Sequence, residues 1–101
     1  MTLSIDNNTW VYVQVQNPGS TEHVVGQHDE KNDISFIPVF LNKESAIAGF
    51  AQMPKEKGNK YEIQAIIFDD LSRQAAERGF LIFVLDEEGK ILKKLAPPSP
   101  T

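Results

Sequence analysis

The sequence predicts an α+β domain: a mixed β-sheet of about five strands with two helices packed mainly on one face, in the order β(β)βαβαββ. Three observations carry that expectation. Trp10–Gln16 alternates strictly, with Val11, Val13 and Val15 on one side and Trp10, Tyr12, Gln14 and Gln16 on the other. Lys43–Met53 places Ala46, Ile47, Phe50 and Ala51 on one helical face. Phe80–Leu85 is an unbroken apolar run of strand length, expected to be buried on both sides.

The remaining elements follow in order. Residues 1–9 are a polar lead-in, 10–95 form the single domain, and 96–101 a Pro-rich flexible tail whose prolines donate no ladder N–H and favour polyproline II. Asn17-Pro-Gly-Ser20 has turn chemistry. Thr21–Asp33 is polar except for His23–Gly26, which reads either as a short edge strand or as loop. Ile34–Phe40 is the second firm strand, and Pro38 inside it predicts an edge position or a bulge. Asn42 is placed to cap the first helix, which Pro54 ends, and Lys55–Lys60 makes a charged turn. Tyr61–Phe68 is a third strand. Asp69 or Asp70 is expected to cap a helix over Leu71–Arg78, with Leu71, Ala75 and Ala76 inward and Gly79 as its left-handed stop. Asp86–Gly89 is a hairpin turn into a last strand, Lys90–Leu95, with Ile91 and Leu95 inward.

Composition narrows the function classes. The 101 residues carry 14 acidic and 10 basic side chains, a formal charge of −4, which gives nucleic acid or an anionic membrane no long-range attraction. No apolar run approaches the ~20 residues that span a bilayer, and the N-terminus lacks the basic start and apolar stretch of a signal peptide. With no cysteine there is no disulfide, thiolate metal site or thiol nucleophile. The expectation is a cytoplasmic chain without a cofactor.

Coverage of the sheet raises the sharper question. Two helices, each ~10 Å wide, shield about four strands spaced ~4.8 Å apart on one face. Yet Ile34–Phe40, Tyr61–Phe68 and Phe80–Leu85 all present apolar residues on both faces. Either the Thr21–Asp33 segment or a curled sheet covers the second face, or a protein partner does, most economically a second copy joined face to face.

Chemistry-bearing residues are sparse. His23 and His28, with Glu22, Asp29, Glu30 and Asp33 nearby, form the closest approach to a metal site and carry the alternative reading of a small metal-dependent enzyme or sensor. Against it, a separation of five residues puts the two rings on opposite faces of any strand. Asp69-Asp70 is better explained by a helix start than by acid–base work. No serine sits in a nucleophile elbow, and no glycine-rich phosphate loop occurs. The lysines at 55, 57, 60, 90, 93 and 94 suit exposed turns and edge strands. Trp10 and Tyr12 share one strand face and suit a binding surface, with Phe36 or Ile37 beside them according to register. A weaker possibility is recognition of the Pro97–Pro100 tail by another protein.

Several segments resemble the N-terminal domain of the bacterial SseB family. They are Val11-Tyr-Val-Gln-Val15, Phe36-Ile-Pro-Val-Phe40-Leu-Asn-Lys-Glu44, Phe68-Asp-Asp-Leu71, Ala75-Ala-Glu-Arg-Gly-Phe80 and the Asp86-Glu-Glu-Gly89 turn. The similarity runs over roughly residues 10–95 and rests on structural motifs. Asn42-Lys43 stands where the family has Thr-Ser, the turn lacks its proline, and the chain ends where many members continue into a second domain. The resemblance implies a small α+β module with no catalytic residue to carry over. The expected function is a non-catalytic protein-interaction or self-association module, binding through Trp10, Tyr12, Phe36 and Ile37.

Overall fold

A computed structural model describes residues 5–19, 23–53 and 57–96. Their elements are β1 (Trp10–Gln16), β2 (His23–Val24), β3 (Gln27–Asp29), β4 (Ile34–Val39), α1 (Lys43–Ala51), β5 (Tyr61–Ile67), α2 (Phe68–Arg78), β6 (Leu81–Leu85) and β7 (Ile91–Leu95). The α+β class holds. The ambiguous Thr21–Asp33 segment contributes two short strands among its described residues, and the expected tail beyond Ala96 lies outside them.

The strands form two sheets, β2-β1-β5 and β3-β4-β6-β7. β4 and β6 run parallel, and every other pairing is antiparallel. One bridge joins the sheets: Tyr12 N–H donates to the Phe40 carbonyl at 2.8 Å, and Phe40 N–H returns to the Tyr12 carbonyl at 3.0 Å. The rest of that β1 edge is taken by Val25, which donates to the Gln14 carbonyl, and by β2 opposite Val15 and Gln16. The described strands thus read as one curled surface, β5-β1-β4-β6-β7.

Pro38 is accommodated at this seam. Main-chain groups of alternate residues point to opposite sides of a strand, so Pro38, two residues before Phe40, faces the β1 side. The β3 pairing has already stopped at Phe36. Pro38 therefore occupies a local edge inside a central strand, and its missing N–H breaks no ladder bond.

The helices do not share a face. Leu71 and Ala75 of α2 pack with Val11, Val13, Val15, Ile37, Val39, Ile82 and Val84. Ala46 and Phe50 of α1 pack with Phe40, Phe83 and Leu85, residues of the opposite strand parity. Each helix covers one side, which corrects the expected placement and answers how both faces are buried. Arg78 helps to close the α2 side: its guanidinium donates to the Val24 carbonyl at 2.7 Å and lies 4.4 Å from the Phe80 ring centre. Its burial lowers the Arg78 pKa.

Local details both match and correct the sequence expectations. Asn42 caps α1, its side chain accepting from Ser45 N–H at 2.8 Å. The buried stripe of α1 is Ala46, Gly49 and Phe50, whereas Ile47 and Ala51 face solvent. Gly49 is required because a Cβ there would overlap the Phe40 ring. α2 starts at Phe68, three residues before the expected start, with no side-chain cap. Asp69 instead pairs with Arg73 at 2.8 Å across one turn, and both Asp69 and Asp70 favour the positive N-terminal end of the helix. Gly79 ends it in the left-handed conformation, at φ 72°. Leu95 packs against the core as expected, while Ile91 is 47% exposed. Ile5 also packs against the core, so the described part of the lead-in is anchored.

The fit of Gly49 under Phe40 yields a signed expectation. By helix propensity alone, Gly49→Ala should stabilise the chain by about 1 kcal/mol. Overlap with the Phe40 ring reverses the sign, and we expect a net loss of about 1–3 kcal/mol in urea unfolding. A stabilised variant would contradict the contact.

Candidate functional site

α1 is nine residues long, hence about 14 Å, too short to cover its whole side of the curled sheet. Beyond its C-terminal end lies a groove of about 360 Å³, floored by Phe36 and Phe83 and walled by Met53, Leu85 and Ile91, with Gln27 and Asp29 on the rim. That volume lies within the ~300–1,000 Å³ range of ligand clefts. Register explains the floor. Phe36 pairs with Leu81 and Pro38 with Phe83, so all four side chains share the α1 side. The Phe36 and Phe83 rings stack with centroids 4.5 Å apart and planes at 16°. Lys94, opposite Phe83 in the ladder, holds its ammonium 5.4 Å from that ring centre.

The β3–β4 turn beside the groove carries a small polar network. His28 Nδ1 lies 2.9 Å from Ser35 Oγ, and its Nε2 lies 3.4 Å from Asp33 Oδ1. Asp29 accepts from the Asn32 side-chain amide at 2.9 Å and from the main-chain N–H groups of Lys31 and Asn32. The Asn32 side-chain bond is the main cause that holds the Asp29 pKa below its ordinary 3.8, with the main-chain bonds adding to it. These bonds shape the turn between β3 and β4, where Asp33 adopts φ 53°. The arrangement can seat an apolar side chain against two rings beneath a polar rim.

The sequence-derived candidates separate. Trp10 is 59% exposed on the α1 side of β1, opposite Ile67. Tyr12, on the same side, is half-buried against the α1 core. Phe36 joins that side and floors the groove. Ile37 is fully buried in the α2 core and cannot line a surface. Trp10, Tyr12 and Phe36 share the α1 side while Ile37 is buried on the other, so the four form no single patch.

The histidine reading separates as well. His28 stands opposite Ser35, on the strand parity of Ile37 and Val39, and its ring meets the Ser35 hydroxyl there. His23 stands opposite Gln16, on the parity of Tyr12, so the two imidazoles take opposite faces of the sheet. Among the described residues no group of three or more His, Asp or Glu side chains is arranged to hold a metal. Glu22 lies outside the described residues. No helix among the described residues is long and apolar enough to cross a membrane.

Phe83, Met53 and Ile91 were the groove residues that sequence reasoning missed. Their signal was present: Phe83 alternates with Ile82 and Val84, but which face it takes depends on a register that only the folded sheet sets.

No family model matches the chain, nor does any curated protein or solved structure. The likeness to the SseB N-terminal domain therefore rests on the segments quoted above.

The rim gives a pH expectation. Because the folded-state pKa of Asp29 is depressed, its contribution to stability is present above about pH 4 and is lost as pH falls through the folded value. In an NMR titration the Asp29 carboxyl should show a midpoint below 3.8, rising toward it in Asn32→Ala. A midpoint unchanged by that substitution would show that Asn32 does not set it.

Proposed function

We propose that this chain is a non-catalytic protein-interaction module that binds an apolar side chain of a protein partner in the Phe36–Phe83 groove. One observation carries the reading: a stacked aromatic pair and Ile91, 47% exposed, line an open concavity beside a helix too short to cover it. Interfaces favour such places, where an aromatic or aliphatic anchor fills a pocket inside a polar rim. The rim suits a peptide, since Asp29 and Lys94 offer side chains of both charge signs beside an apolar floor. On the SseB-like segments and the cysteine-free composition, the setting of this module is the bacterial cytoplasm.

A random linear-peptide library selected on the immobilised chain tests this directly. Enriched peptides should share one Leu, Met or aromatic anchor, and their affinity should fall by about tenfold or more for Ile91→Asp. That position is exposed, so the variant should fold. Failure to enrich any anchored sequence, or equal binding by the variant, would overturn the groove as the site.

A further inference from the structure

Among the described strands, β5 is an outer edge of its sheet. Its sequence, Tyr61-Glu-Ile-Gln-Ala-Ile-Ile67, holds three isoleucines, a tyrosine and an alanine, yet none of its seven residues is buried. Among the described residues β5 pairs with β1 alone. The other edges are short or charged: β2 has two residues, β3 three, and β7 carries Lys93 and Lys94. Short strands and lysines discourage edge pairing, as do prolines. β5 contains no lysine, arginine or proline, and its single charge is Glu62.

We propose that two copies of this chain pair antiparallel along the outer edges of β5, about a two-fold axis at Gln64, merging two three-stranded sheets into one of six strands. This goes beyond the groove reading and does not rest on it. Main-chain direction sets the register. Phe68 N–H donates to the Thr9 carbonyl and Asn17 N–H to the Lys60 carbonyl, so the even-numbered residues of this segment face β1. Ile63, Ala65 and Ile67 consequently direct their main-chain groups to the open side. Centring the axis on Gln64 sets Ile63 of one copy opposite Ala65 of the other, and both residues of each such pair face the partner. They exchange N–H···O bonds in both directions, and the two glutamine side chains meet at the axis. A strand edge that matches its own inverted copy is the self-complementarity that a two-fold interface requires.

Charge selects the same orientation. Lys60 precedes β5, and Asp69 and Asp70 follow it. Antiparallel pairing sets Lys60 opposite Phe68 of the second copy, beside those two carboxylates. Asp69 already holds Arg73, while Asp70 has no ion pair among the described residues. Glu62 falls opposite Ile66 of the second copy. A parallel, in-register arrangement would instead set Glu62 against Glu62 and Lys60 against Lys60, which like charges oppose.

The arrangement also uses apolar surface that a lone chain leaves wet. α1 covers one end of the β1–β5 ladder, where Ile47, Phe50, Gln14, Tyr61 and Ile63 line a crevice. The other end, with Trp10, Ala65 and Ile67, lies outside that crevice. A two-fold axis at Gln64 carries the covered end of one copy next to the open end of the other. The second copy's Ile47, 53% exposed, is thereby brought toward Trp10, 59% exposed.

Sedimentation equilibrium of the full chain from about 5 to about 500 µM tests the pairing, since a dimer must follow mass action. The mass should climb from 11.3 kDa toward twice that value. Ala65→Pro removes an outward N–H and should weaken association by about tenfold or more. Ala65→Lys, at an exposed position, should do the same through a second route and decides the matter should the proline variant misfold by circular dichroism. Ile91→Asp should leave the dimer intact, which separates this inference from the groove. A monomer at every concentration, or a dimer whose affinity survives both Ala65 variants, would overturn it.

Discussion

The two main-chain hydrogen bonds between Tyr12 and Phe40 are the constraint on which the rest of the structure depends. They bridge a three-stranded and a four-stranded sheet, as the one isolated main-chain bridge between the two among the described residues. Pro38 next to the seam supplies no N–H, so the ladder between β1 and β4 does not propagate from the bridge toward Phe36. The space is filled instead by the β2–β3 segment, which takes the remaining β1 edge at Gln14, Val15 and Gln16. Above the bridge the Phe40 ring lies edge-on to Phe50, with centroids 4.9 Å apart, and tight under Gly49. One residue therefore ends a strand, joins two sheets and seats a helix.

From that seam follows the distribution of apolar surface. Joining the sheets makes a surface wider than either helix, and the seam seats α1 on one side while α2 closes the other. The longer α2 meets the valine, isoleucine and leucine core, where alternating strands supply small branched side chains. The shorter α1 meets aromatic residues and ends before the sheet does. Its two flanks are the Phe36–Phe83 groove and the Trp10–Ile67 corner, and both binding proposals concern what α1 leaves uncovered. The second face, which the sequence left to the Thr21–Asp33 segment, a curled sheet or a partner, is covered in part by the second helix.

Much of this was legible from residue spacing, because spacing reports local geometry. β1 was read at its true bounds from the period-two valines, the Asn42 cap from its position before a helical stripe, and the Gly79 stop from glycine at a helix end. Where the reading failed, the deciding contacts were long-range. Ile47 and Gly49 are both compatible with the inward stripe of α1 by sequence, and only the Phe40 ring selects glycine. Ile37 and Phe36 were interchangeable until the Tyr12–Phe40 bridge set which parity faces α1. The same bridge determines that the helices cover opposite faces, a fact of register that no local pattern encodes. His23 and His28 are close in sequence but pair with Gln16 and Ser35, residues of opposite strand parity.

The central claim is that the seam is part of the cooperative core and not a frayed contact between two sheets. Native-state hydrogen exchange at the Tyr12 and Phe40 amides measures it most directly. Both should exchange only through global unfolding, as slowly as the amide of Ile82 in the middle of β6. Exchange of either amide at the rate of the exposed Lys57–Lys60 turn, with Ile82 still protected, would contradict the account.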